Sequence, residues 1–144
     1  MLLNIEFSKN RHSFYSLRYY LVVSIFEGKK IINDELEVNL KNIILQNIEK
    51  HKCELIEIKI EDQSKVIIYF SAPPYIKLSI FVNNLKTVSS RLIRRDFKSL
   101  LEEKKLHEHF WAMEYYIYTW ISGIITGYNF LNHCHCYKNY TQII

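Results

Sequence analysis

Leu17, Tyr19, Leu21, Val23 and Ile25 alternate with Ser16, Arg18, Tyr20, Val22 and Ser24. Side chains on a strand alternate between two faces, so this period of two predicts a first strand with one well-buried face. Glu27-Gly28-Lys29-Lys30 breaks it as a turn. Asn33 then stands where a helix cap belongs, with Asp34 and Glu35 favourable against the positive end of the helix. Leu36, Leu40, Ile43, Ile44 and Ile48 share one face, which predicts an amphipathic helix over 34–50, closed by the cationic His51-Lys52 pair. Ile56, Ile58 and Ile60 alternate with Glu57, Lys59 and Glu61 as a second strand. After the turn Asp62-Gln63-Ser64 the chain returns as a third strand, Lys65 to Ala72, and so short a link predicts an antiparallel hairpin. The run Val66 to Phe70 is apolar on both faces, which places this strand centrally, and Pro73-Pro74 ends it.

Leu78, Phe81, Val82, Leu85, Val88 and Leu92 next recur at helical spacing, with Lys77, Asn84, Thr87, Arg91, Arg94 and Arg95 on the opposite face. Residues 101–105 read as a charged link. Phe110 to Trp120 is aromatic and reads as one or two further strands. Beyond it the pattern weakens. Ile124, Ile125, Tyr128 and Leu131 have helical spacing, but Gly123 and Gly127 each cost about 1 kcal/mol in a helix interior. The order β–α–β–β–α–β predicts an α+β fold of ferredoxin-like (split βαβ) type: an antiparallel sheet with helices on one face, plus a candidate C-terminal helix. The boundaries expected are a domain over 1–120 and a tail over 121–144. Such a fold hosts many functions and selects none.

Composition adds limits. A length of 144 residues suits one domain, and 3 Gly with 2 Pro argue against a disordered chain. The net charge of +4 permits a nucleic-acid partner without requiring one. Eleven Tyr and eight Phe serve a core, an interface or base stacking equally well. Cys53, Cys134 and Cys136 are too few for a disulfide framework, which suggests a reducing compartment. The apolar stretch Ile121 to Leu131 is too short to span a bilayer, so a cytoplasmic protein without a membrane partner is expected.

Four strings in order carry a resemblance. They are Arg11-His12-Ser13-Phe14-Tyr15-Ser16-Leu17-Arg18-Tyr19-Tyr20-Leu21-Val22, the strand end Ser71-Ala72-Pro73-Pro74, the helix segment Leu85-Lys86-Thr87-Val88-Ser89-Ser90-Arg91-Leu92, and Phe110-Trp111-Ala112 followed by Tyr115-Tyr116-Ile117-Tyr118-Thr119. Together they resemble the TnpA-type single-tyrosine transposases of the small bacterial insertion sequences (the 200/605 group), over roughly residues 10 to 120. The helix segment is similar to that family's Lys-Gly-x-Ser-Ser-Arg. The resemblance implies a ferredoxin-like homodimer with joined sheets. Its substrate would be single-stranded DNA bearing a hairpin, cut and rejoined through a covalent phosphotyrosine. Two His on the third strand would hold Mg or Mn against the scissile phosphate.

Here the two His positions are Lys65 and Ile67, which offer no imidazole, so no cofactor is expected and cleavage is expected to be lost. The remnant of the nucleophile would be Tyr128, with Asn132 one turn on, although the segment leading to Tyr128 is shorter than the family pattern. His133-Cys134-His135-Cys136 superficially resembles a zinc set, but adjacent ligands cannot readily wrap one ion. His107 and His109 read as surface histidines. The resemblance makes Lys86, Arg91, Arg94 and Arg95 candidates to neutralise phosphates, with Ser89 and Ser90 as hydrogen-bond donors; a solvated helix face is the other reading. Three functions stay open: a pseudoenzyme that still binds single-stranded or hairpin DNA (or RNA), an active enzyme with a non-standard metal site using His133 or His135, and a dimeric interaction protein without nucleic acid.

Overall fold

The computed structural model of the protein describes residues 7–106 and 108–119. A two-stranded ribbon, β1 (Ser8–Lys9) and β2 (Phe14–Tyr15), comes first. It leads into β3 (Arg18–Ile25), a 3-10 turn at Phe26–Gly28 and helix α1 (Asp34–Lys50). Strands β4 (Glu54–Glu61) and β5 (Lys65–Ser71) follow, then helix α2 (Leu78–Asp96), the short helix α3 (Lys98–Glu103) and β6 (Trp111–Thr119).

The main sheet has the order β4-β5-β3-β6, and every neighbouring pair is antiparallel. α1 carries the chain from β3 to β4 across β5, and α2 carries it from β5 towards β6 across β3. Two interleaved split β-α-β units of this kind make the ferredoxin-like arrangement that the element order predicts. β5 lies inside the sheet, as its continuous apolar run requires.

One face of the sheet meets the helices. Leu21, Val23 and Ile25 of β3 and Val66, Ile68 and Phe70 of β5 join Leu36, Leu40 and Ile44 of α1 and Phe81, Leu85 and Ile93 of α2 in one core. The alternate residues Tyr20, Val22 and Ile67 form a smaller cluster on the other face, edged by Tyr69 and Tyr118. The period-two reading of β3 therefore holds, but its second face also carries buried apolar side chains.

Local chemistry sets the ends of α1. Asn33 caps it as expected, its side-chain oxygen accepting the Leu36 N–H at 2.9 Å. At the far end the Cys53 N–H donates to the Ile48 carbonyl at 3.1 Å and the Lys52 N–H to that of Glu49 at 3.0 Å. This pair of bonds needs a left-handed residue between helix and strand, and Lys52 supplies it at φ 62°. A side chain in that region is strained, whereas glycine is not. Lys52→Gly is therefore expected to stabilise the protein by about 1 kcal/mol, read as a higher urea midpoint at unchanged m-value.

Two local differences from the sequence reading have physical causes. The expected charged link is helix α3 over Lys98–Glu103, which turns Leu101 into the core. The ribbon β1–β2 was not predicted, because two residues per strand leave no period to read. The aromatic run forms one strand, β6. Among the described residues no helix is long and apolar enough to cross a membrane. The candidate C-terminal helix in 121–144 lies outside the described residues.

Candidate nucleic-acid interface

Lys65 and Ile67 stand at the start of β5, opposite Ser24 and Val22 of β3. Being two residues apart, they project to the same face, the one away from the helices. Ile67 is only 4% exposed and packs with Tyr20 and Val22. The Tyr20 ring stacks between two others, at 4.3 Å and 7° from Tyr69 and at 5.3 Å and 23° from Tyr118. Burial first, then the Tyr69 and Glu57 charges, push the Tyr20 hydroxyl up to about 12, so it stays neutral at physiological pH. An ammonium group, a branched alkyl chain and the neutral Tyr20 phenol do not fit a divalent cation, which prefers imidazole or carboxylate ligands. Among the described residues no three His, Cys, Asp or Glu side chains are grouped to hold a metal.

The basic helix α2 divides its residues between two tasks. Lys86 turns towards the sheet: its Nζ donates to the carbonyls of Ala112 at 2.7 Å and Met113 at 3.0 Å. Burial pulls its pKa down, partly offset by Glu114. Ser89 is fully buried. Its hydroxyl donates to the Leu85 carbonyl at 2.6 Å and accepts the Trp111 indole N–H at 2.9 Å. Half of the family-like segment thus fastens the start of β6 to α2. The Ser89 hydroxyl, a candidate phosphate donor by resemblance, faces the core in this structure because Leu85, Ser89 and Ile93 lie four residues apart on the apolar face. That spacing was the available signal for its burial.

The remaining candidates lie outward to different degrees. Ser90 donates locally to the Thr87 carbonyl at 3.3 Å. Arg94 reaches the Glu108 carbonyl at 2.9 Å through one Nη. Arg95 is exposed and engages Asp96, with Nε to Oδ1 at 2.8 Å, which raises the Arg95 pKa and lowers that of Asp96. Arg91 is exposed, with no ion pair to a described residue. Of the six candidates it is the cation best placed to meet an external anion.

His109 is exposed, its ring 5.0 Å from that of Phe26, a surface position. Tyr128, Asn132, His107 and the block His133-Cys134-His135-Cys136 lie outside the described residues.

The family model described as "Transposase IS200 like" matches residues 13–123. A crystal structure of a candidate transposase from Deinococcus radiodurans R1 superposes with a TM-score of 0.76 at 20% identity, covering 94% of this chain and 96% of that one. The REP-associated tyrosine transposase bound to a REP hairpin superposes with a TM-score of 0.51 at 11% identity, covering 89% of this chain and 67% of that one. No match was found among curated proteins. The two superpositions support the fold, and the family model spans β3 to β6 with both crossover helices. The chain belongs to the IS200-like transposase family.

Proposed function

We propose that this family member binds single-stranded or hairpin DNA and does not perform metal-dependent cleavage. The observation that carries the reading is the buried Ile67 packed against Tyr20 where the family resemblance calls for a metal-binding imidazole. On the opposite side of the sheet α2 keeps Arg91 exposed, with Arg94 and Arg95 in the next turn, a row suited to phosphate contacts. The REP-associated transposase of similar fold is bound to a REP hairpin, which supports a hairpin as the natural first probe. No Mg or Mn is assigned a role, and Tyr128 would be a remnant of the nucleophile.

The reading includes a homodimer formed through a sheet edge. β6 is one edge of the described sheet, and it exposes Met113 and Tyr116. With no strand among the described residues on its outer side, such an edge can offer backbone groups to a second copy.

A salt titration tests the binding half. Anisotropy of a fluorescein-labelled hairpin DNA should show affinity falling steeply with salt, since bound phosphates release counterions. Arg91→Ala should weaken binding several-fold and reduce the log–log salt slope by roughly 0.7–0.9, the loss of one phosphate contact. Absence of binding at low salt would leave the interaction-protein reading instead.

A further inference from the structure

The ribbon β1–β2 is not part of the sheet and is not explained by it. It joins the end of the sheet where Arg18 of β3 pairs with Ser71 of β5, and where the Ala72 N–H donates to the Leu17 carbonyl at 3.0 Å. Seven residues after Ser71, α2 begins. From Leu78 to Arg91 the helix rises on the order of 20 Å at 1.5 Å per residue. The ribbon and the arginine row therefore lie towards opposite ends of α2.

The ribbon is rigid at its turn and open at its surface. The Asn10 side-chain oxygen accepts three hydrogen bonds, from the N–H groups of His12 at 3.0 Å and Ser13 at 2.8 Å and from the Ser13 hydroxyl at 2.8 Å. The Asn10 N–H donates to the Ser13 carbonyl at 2.9 Å. This closed turn holds Arg11 and His12 at an exposed tip. Behind the tip, Lys9 faces Phe14 across the ribbon, its Nζ 5.4 Å from the ring centroid. Phe14 is 68% exposed and Phe7 61% exposed, unusual for phenylalanines in a small domain. Phe7 and Arg18 also line a cleft of about 650 Å³ at the foot of the ribbon, with Glu54 as the acid described in its wall.

Charge and shape select one ligand chemistry. From Phe7 to Phe26 the chain contains Lys9, Arg11, His12 and Arg18 and no Asp or Glu. A cationic segment of this kind attracts a polyanion. Exposed phenyl rings add what phosphate contact does not need: a flat apolar surface for an unpaired base. In a duplex the bases are already stacked on each other and withheld from such rings. The geometry points to the β1–β2 ribbon as a second DNA contact, gripping a single-stranded segment by stacking a base on Phe14 and placing phosphates at Lys9 and Arg11. This rests on the DNA-binding function proposed above and assigns the ribbon a part in it separate from that of α2.

The test compares three variants, Phe14→Ala, Lys9→Ala with Arg11→Ala, and Arg91→Ala, against a labelled oligothymidylate and a blunt-ended duplex. All four side chains are exposed, and circular dichroism checks that each variant stays folded. Phe14→Ala should weaken oligothymidylate binding about tenfold with an unchanged salt slope, and should leave duplex binding as it was. The double variant should lower the single-strand salt slope by roughly 1.4, two contacts at about 0.7 each. Ribbon variants that bind the oligothymidylate like the unaltered protein, while Arg91→Ala weakens it, would overturn the ribbon assignment and leave the α2 reading standing. Equal losses for single strand and duplex in Phe14→Ala would overturn the stacking role. If the unaltered protein binds neither probe at low salt, the proposed function fails first, and the ribbon with it.

Discussion

Histidines placed at both family positions, Lys65→His with Ile67→His, will destabilise the protein by about 2–4 kcal/mol and will not create a manganese site. Ile67 is nearly inaccessible and its neighbours are Tyr20, Val22, Tyr69 and Tyr118. Replacing it removes buried alkyl surface and brings a polar ring into an apolar cluster. The imidazole would lie among alkyl chains and stacked aromatic rings, where its desolvation is costly. The Tyr20, Tyr69 and Tyr118 rings packed on that face also offer no carboxylate or further imidazole to complete a site. The check is twofold: a urea titration for stability and electron paramagnetic resonance of added Mn²⁺ for binding. Micromolar manganese affinity with stability intact would show that the site is only two residues away from function, contrary to this account.

Trp111→Ala will cost about 3–5 kcal/mol, and Ser89→Ala about 1–3 kcal/mol, in the same titration. Trp111 is buried at the first residue of β6, its ring edge-on to Phe110 at 4.6 Å. Its indole N–H has the Ser89 hydroxyl as acceptor at 2.9 Å. Alanine at 111 leaves a cavity. Alanine at 89 leaves the indole N–H in a dry site without its acceptor, which carries the cost of desolvation. The Ser89 change should also raise hydrogen exchange in Trp111 and Ala112, where β6 is otherwise tied to α2 by Lys86. A Ser89→Ala variant with unchanged stability but weakened DNA binding would reverse the assignment and make this serine a contact residue.

Much of the fold can be read from local pattern. The Asn33 cap, the face Leu36, Leu40, Ile44 and Ile48, and the doubly apolar β5 each have one simple solution, and the structure adopts it. The site was less legible, because one helix segment serves two neighbours. Lys86, Ser89, Arg91 and Arg94 look alike as polar helix residues, yet the first two are drawn to β6 by carbonyls and an indole that lie 22 to 27 residues away in sequence. Only tertiary placement separates them from Arg91. By contrast, the difference between Lys65 or Ile67 and an imidazole is one of residue type and needs no structure to read. What the structure adds is the Tyr20–Tyr69 stack beside them, an aromatic pair whose cross-strand register at Tyr20↔Tyr69 no sequence period reveals. The ribbon at 8–15 escaped for the simplest reason: its order comes from one Asn10 oxygen rather than from a repeating pattern.

The proposed function is that of a transposase scaffold that holds DNA and leaves it uncut. It is tested most directly by incubating the protein with labelled single-stranded hairpin DNA and Mn²⁺, then resolving the products on a denaturing gel. The expected result is a salt-sensitive complex before denaturation and neither nicked DNA nor a covalent protein–DNA species after it. A covalent species that disappears in Tyr128→Phe would contradict it.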